Sequence, residues 1–222
     1  MASPRRPQVA APRIKELRLT GLDNADPQDI ESSEQIESWR FNEAGISERD
    51  LSGAGFIECE FLGLEAHETE LRRAQFVETR IESANAPSFK AARSIWHNAT
   101  ISDSRFGAVE MYEATVQALT ISDSKLSFVN LRGASLRDVL FENCVIDELD
   151  LGQARAERIA FKDCTVHSLT FDHAVLSNVD LRGLDIERIS GVESMSGTVI
   201  SSLQAADLSG AFARHLGITV ND

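Results

Sequence analysis

Apolar side chains recur at every fifth position of this chain from Ile36 to Ile186 without interruption. The series runs Ile36, Phe41, Ile46, Leu51, Phe56, Phe61, Ala66, Leu71 and onward to Leu176, Leu181 and Ile186, 31 positions in all. With 42% of the chain apolar, chance gives such a run odds of roughly 10⁻¹². A period of five matches neither the 3.6-residue helix nor the two-residue strand. Four short faces, each turned through about a right angle, close a square in about 20 residues, and the center of each face then points inward. Extended chain alternates sides, so the residue two before each center should also face in.

The second column supports this geometry. Before centers ending in 6 it is mostly small: Ala54, Ala74, Ala84, Ser94, Ser104, Ala114, Ser124, Ala134, Cys144, Ala154, Cys164 and Ala174. Before centers ending in 1 it is often large, as at Val109, Leu119, Val129, Val139, Leu149, Ile159, Leu169 and Val179. Small and large faces therefore alternate around a narrow packed interior. Ala66, Ala86, Ala91 and Ala156 are thin centers, which predicts poorly filled coils there.

Stretches such as "VNLRGASLRD" (129–138) and "NVDLRGLDI" (178–186) resemble the A-(D/N)-L-x-x unit of the pentapeptide-repeat family. That resemblance covers residues 36–190. It implies an all-β fold, a right-handed quadrilateral β-helix with a short C-terminal α-helical cap. About 150 residues would make roughly 7.5 coils, at ~4.8 Å per coil. One coil cannot bury its own faces, so both ends need caps. The expected division is a disordered tail (1–13), an N-terminal cap segment (14–35), the β-helix (36–190) and a C-terminal cap (191–222).

The ends carry their own signals. "IKELRLTGL" (14–22) reads as a strand covering the first coil. Asp26-Pro27 reads as a helix cap followed by proline, predicting a short helix near 27–36. "SSLQAADLSGAFARHLGI" (201–218) reads as a helix with Ser202 as cap and Gly217 as its stop. Leu203, Ala206, Phe212 and Leu216 space onto one face of it, and Ile218 and Val220 follow as a short strand. By the family resemblance this end pairs two rods, giving a homodimer through Leu203, Phe212, Leu216 and Ile218.

Charge then narrows the function. The chain carries 35 acidic and 22 basic residues, a formal net charge of −13. That disfavors direct nucleic-acid binding and favors basic partners. Sorted by the coil period, the face centered on Phe41, Phe61, Ile81, Ile101, Ile121, Phe141, Phe161 and Leu181 holds 8 acids and 4 bases, and the next face 7 and 3. Asp103, Asp123 and Asp163 share one outward column with Asn143 between them and Glu43 further down; Asp147 and Glu148 add to the adjacent face. These six carboxylates are the candidate partner-binding set. Their charge is sparser than that of duplex DNA, so the side would imitate the field and width of DNA and not each phosphate.

Little else suggests chemistry. The cysteines are three with no framework spacing, which suits a reducing cytoplasm. No secretory signal or membrane-length apolar run is evident. His67, His97 and His167 lie many coils apart. Cys144 and Cys164 stack one coil apart and inward, and small buried residues explain them better than a metal or redox pair. No phosphate loop, dinucleotide fingerprint or hydrolase elbow is present. The reading is a non-enzymatic binding protein without cofactor or metal. The resemblance implies an acidic rod that binds a type II topoisomerase such as gyrase. The alternative is a general interaction scaffold using the more neutral faces, with Tyr112, Arg72, Arg73 and Arg93 as contacts.

Overall fold

The computed structural model describes residues 9–221. It is a parallel-strand β-solenoid of about nine turns. One sheet of 13 strands wraps two adjacent faces, and a 7-stranded sheet forms a third. Successive coils pair in parallel at an offset of 20, as Trp96 with Val116 and Ile101 with Ile121. The fourth face is built from turns closed by bonds such as Ala114 N–H to Met111 carbonyl (3.2 Å) and Ala134 N–H to Leu131 carbonyl (3.1 Å).

The inward columns are where the period puts them. Every center from Ile36 to Leu181 is buried, and Ile186 in the last coil is half-buried. The small and large second columns are buried as well. Aromatic rings stack along the rod: Phe41 on Phe61 (4.8 Å), Phe56 on Phe76 (5.2 Å), Phe76 on Trp96 (4.0 Å) and Phe141 on Phe161 (5.0 Å). Trp96 satisfies its indole N–H on Ser94 Oγ at 2.8 Å, so a small second-column residue doubles as a polar partner. The thin centers Ala66, Ala86, Ala91 and Ala156 are buried like the rest, and Phe89 lies against Trp96 and Phe106. An apolar void of about 20 Å³ is lined by residues including Phe89, Phe106, Val109, Val116, Val129 and Val139.

The corners explain the polar columns. In the first coils the residue two after each center has positive φ at every corner: Glu43, Glu48, Gly53, Glu58, Gly63, Glu68, Arg73, Glu78 and Ser83. From residue 85 onward one corner per coil opens, and strands Asn85–Lys90, Arg105–Glu110 and Lys125–Asn130 run through it. Phe128 stands at that corner, and a bulky residue is poorly suited to a left-handed backbone.

The ends differ from the sequence-based expectation. Residues 14–22 form no strand; they continue as an extended arm along the rod. Residues 9–13, expected within a disordered tail, join the same arm through Ala10 and Arg13 main-chain hydrogen bonds; residues 1–8 lie outside the described part. The helix expected near 27–36 is a single 3₁₀ turn, Pro27–Asp29, capped by Asp26 (2.9 Å to Gln28 N–H). Arg49 binds the carbonyls of Pro27 and Ile30 and so holds the chain over the first coil, with Ile30 fully buried. At the other end the single helix is two, α1 (Ser202–Asp207) and α2 (Ser209–His215). The cap is Ser201 rather than Ser202, in a capping box with Gln204. The break falls at Leu208, between the two helices, which is the buried apolar residue of this segment. Ile218 and Val220 are exposed and in no strand.

Candidate protein-binding face

Asp103, Asp123, Asn143 and Asp163 stack on successive coils at one corner, with φ of 50–52°. The same column holds Glu43, Gly63 and Ser83 in earlier coils, at φ 52°, 69° and 57°. Left-handed backbone favors glycine, asparagine and aspartate, because other side chains crowd the carbonyl. Aspartate and asparagine suit this backbone, but Glu48, Glu58, Arg73, Arg93 and Glu113 adopt it at other corners, so the conformation permits the acidic column without dictating it.

What surrounds the column decides whether that charge is felt. Every base of the face is committed elsewhere. Arg40 and Arg80 clamp Glu60 (2.5 and 2.8 Å), Lys162 pairs with Glu142 (3.4 Å) and Arg182 with Asp180 (2.6 Å). Among the described residues Glu43, Glu82, Asp103, Asp123 and Asp163 form no salt bridge. The column borders a shallow groove lined by Asp103, Ser104, Arg105, Asp123, Ser124, Lys125, Asn143 and Val145. Arg105 and Lys125 follow two residues after Asp103 and Asp123, so the groove is mixed in sign where the column itself is acidic. Asn143 Nδ2 donates to Asp123 Oδ1 at 3.2 Å and bridges two coils. Glu43 is separated from Asp103 by Gly63 and Ser83 and stands apart from the run.

Asp147 and Glu148 lie on the adjacent face in strand Val145–Asp150 and not in the column. Asp147 faces His167, whose Nε2 is 3.8 Å away, while His167 Nδ1 lies 2.8 Å from Glu187. Glu148 is exposed. The six proposed residues thus form one run of three, two neighbors around a corner and one outlier.

The C-terminal candidates separate by exposure. Leu203, Leu216 and Ile218 are exposed at 73%, 69% and 55%, and Phe212 is half-buried. The sequence reading missed a second charged corner. Asp138 and Arg158, one coil apart, form a two-point ion pair at 2.6 and 2.9 Å with both side chains buried. The Arg158 guanidinium holds the Asp138 carboxyl below the usual carboxylate range, against the opposing effect of burial. Their 20-residue spacing with opposite sign was the available signal.

Cys59, Cys144 and Cys164 are free and buried. Burial pushes the Cys59 thiol up to about 11. The hydrogen bond with Cys164, together with burial, also raises Cys144. Among the described residues no group of His, Cys, Asp and Glu is placed to hold a metal, and no helix is long and apolar enough to cross a membrane.

The family model for pentapeptide repeats matches residues 124–163, in eight copies. The chain carries pentapeptide repeats. Comparison with curated proteins finds no match. Among solved structures, full-length QnrB1, a plasmid-mediated fluoroquinolone resistance protein, is 18% identical. That alignment covers 86% of this chain and 94% of QnrB1, with a TM-score of 0.32. HetL, a pentapeptide repeat protein involved in heterocyst differentiation regulation from the cyanobacterium Nostoc sp. strain PCC 7120, is 14% identical, with 76% and 90% coverage and a TM-score of 0.28. Scores this low carry no argument about role.

Proposed function

We propose that this pentapeptide-repeat rod is a non-enzymatic binding protein whose recognition surface is the corner of Asp103, Asp123 and Asp163. The observation that carries the reading is that, among the described residues, Asp103, Asp123 and Asp163 form no ion pair while the bases of the same face are all engaged, although Arg105 and Lys125 line the groove beside them. Asp103 and Asp123 stand one coil (~4.8 Å) apart and Asp163 two coils (~9.6 Å) beyond Asp123, so these carboxylates repel one another and attract a basic surface. The resemblance in the repeat register directs this to a DNA-binding protein, with a type II topoisomerase such as gyrase as the partner. The rod would compete with DNA through its field and width. Exposed Leu203, Leu216 and Ile218 support pairing of two rods end to end, which lengthens the acidic track.

A gyrase supercoiling assay, with and without ciprofloxacin, tests the reading. The wild-type chain at micromolar concentration should change the outcome, and Asp103→Asn, Asp123→Asn and Asp163→Asn combined should abolish that change. No effect of the wild type sinks the gyrase assignment. Equal effects of wild type and triple variant move the site off this corner. Sedimentation of Leu203→Asp with Leu216→Asp checks the pairing, and a wild-type monomer at ~100 µM would refute it.

A further inference from the structure

Residues 9–22 lie along the outside of the rod and run against the direction of the coils. Three main-chain groups fix their course. Ala10 N–H donates to Asn178 Oδ1 (3.0 Å), Arg13 N–H to Asp138 Oδ1 (2.8 Å), and Leu17 carbonyl accepts from the Arg80 guanidinium (3.4 Å). Asn178 and Asp138 are two coils apart, ~9.6 Å, and the three residues from Ala10 to Arg13 span about that length when extended. Asp138 and Arg80 are nearly three coils apart, ~14 Å, and the four residues from Arg13 to Leu17 reach ~13 Å. The arm therefore advances three residues for every two coils, with no slack. Six residues then cover the three coils, ~14 Å, to Asp23, which pairs with Trp39. The slack is taken up near Gly21, at φ +70° with open space where a Cβ would stand.

The floor beneath the arm is a corner of the same left-handed kind as the acidic one. It holds Asn98, Ala118, Asp138, Arg158 and Asn178, at φ 50–59°. Ala118, Asp138 and Arg158 are buried there. The contacts read the backbone of the arm rather than its side chains. Of these residues only Leu17 is buried, at 8% exposure, and Arg13, Lys15 and Arg18 face solvent. Among the described residues no ladder of hydrogen bonds joins arm to rod, so the arm is a low-stability unit beside strands held at every coil.

We infer that this corner is a groove for an extended peptide, bound through its main chain. Residues 9–22 fill it in cis, and the same segment of a second copy fits it in trans. The segment holds three bases and one acid, against a repeat region that is net acidic. Gly21 is the hinge at which arms would exchange between chains. The inference is independent of the acidic corner and of its partner.

A protease site inserted at Gly21 allows the arm to be severed after the full chain has folded. A fluorescent peptide of residues 9–22 should then bind the cut rod one-to-one with a micromolar Kd. It should bind the uncut chain at least tenfold more weakly, because the tethered arm competes at about millimolar effective concentration. Asn178→Ala should weaken peptide binding about fivefold, the loss of one hydrogen bond. No saturable binding to a cut rod that keeps its β circular dichroism overturns the inference. So does equal binding by a peptide N-methylated at Ala10 and Arg13. Amide exchange on the intact chain supplies a test without cutting. Ala10 and Arg13 should exchange far faster than ladder amides such as Val116, and equal protection would make the arm an integral part of the rod.

Discussion

Two corners of this rod share a backbone and differ in everything laid over it. At one, Asp103, Asp123, Asn143 and Asp163 stand bare at φ near 50°. At the other, Asn98, Asp138, Arg158 and Asn178 take the same conformation under the N-terminal arm, with Asp138 and Arg158 paired. The left-handed backbone does not fix the residue types, since it holds three aspartates and an asparagine at one corner and Asn98, Ala118, Asp138, Arg158 and Asn178 at the other. The informative quantity is what each carboxylate meets one coil away: another carboxylate or an amide at the bare corner, a guanidinium at the strapped one.

The largest effect should come from removing that guanidinium's partner. Asp138→Ala leaves Arg158 buried without its two-point acceptor and strips the Arg13 N–H of its own. We expect a loss of ~3 kcal/mol in urea denaturation, the low end for a broken buried pair because Glu157 still contacts Arg158. Asp123→Ala is the control at a similar left-handed φ (50° against 59°) and removes no ion pair, only the acceptor of one exposed hydrogen bond from Asn143 Nδ2. It should cost ~1 kcal/mol or less. Equal losses would show that the backbone, not the pair, sets the cost.

Acid sharpens the same contrast. Asp138 has a folded-state pKa below its unfolded value of about 3.9. Its stabilization is therefore full above that unfolded value and is lost as pH falls through the folded one. The stability gap between wild type and Asp138→Asn should be constant from pH 7 to about 5 and close below about 4. A gap that widens on acidification would contradict the pairing.

The conformational half of the argument is tested at Asp123 alone. Asp123→Val forces a β-branched residue into the left-handed region and should cost ~1–2 kcal/mol, while Asp123→Gly should be close to neutral. Thermal or urea unfolding distinguishes them.

The five-residue period made the coils legible because one inward center per face is the only way such a square packs. Thirty consecutive centers are buried as that requires. The acidic column was legible too, but its left-handed backbone was not, since a sequence read by faces does not display φ. The arm was illegible for a different reason. Its contacts use main-chain groups of Ala10, Arg13 and Leu17, and no side-chain pattern marks a backbone donor. The helix break at Leu208 escaped because Leu203 and Phe212 fit an uninterrupted period, whereas burial went to Leu208 itself.

The smallest effect is the most discriminating in sign. Like charges stacked on neighboring coils at ~4.8 Å destabilize each other. Asp123→Asn keeps the shape and the left-handed preference and removes one charge between Asp103 and Asn143. It should raise stability by ~0.2–0.5 kcal/mol at low salt. At ~1 M salt, where the screening length is about 3 Å, that gain should vanish. Asp138→Asn should lower stability in both conditions, because its pair is buried and poorly screened. Opposite signs for one substitution at two corners of equal backbone would show that repulsion is carried at the bare corner as a standing cost. A partner with a basic surface would relieve that cost on binding, which is why the binding and the stability of Asp123→Asn should move in opposite directions.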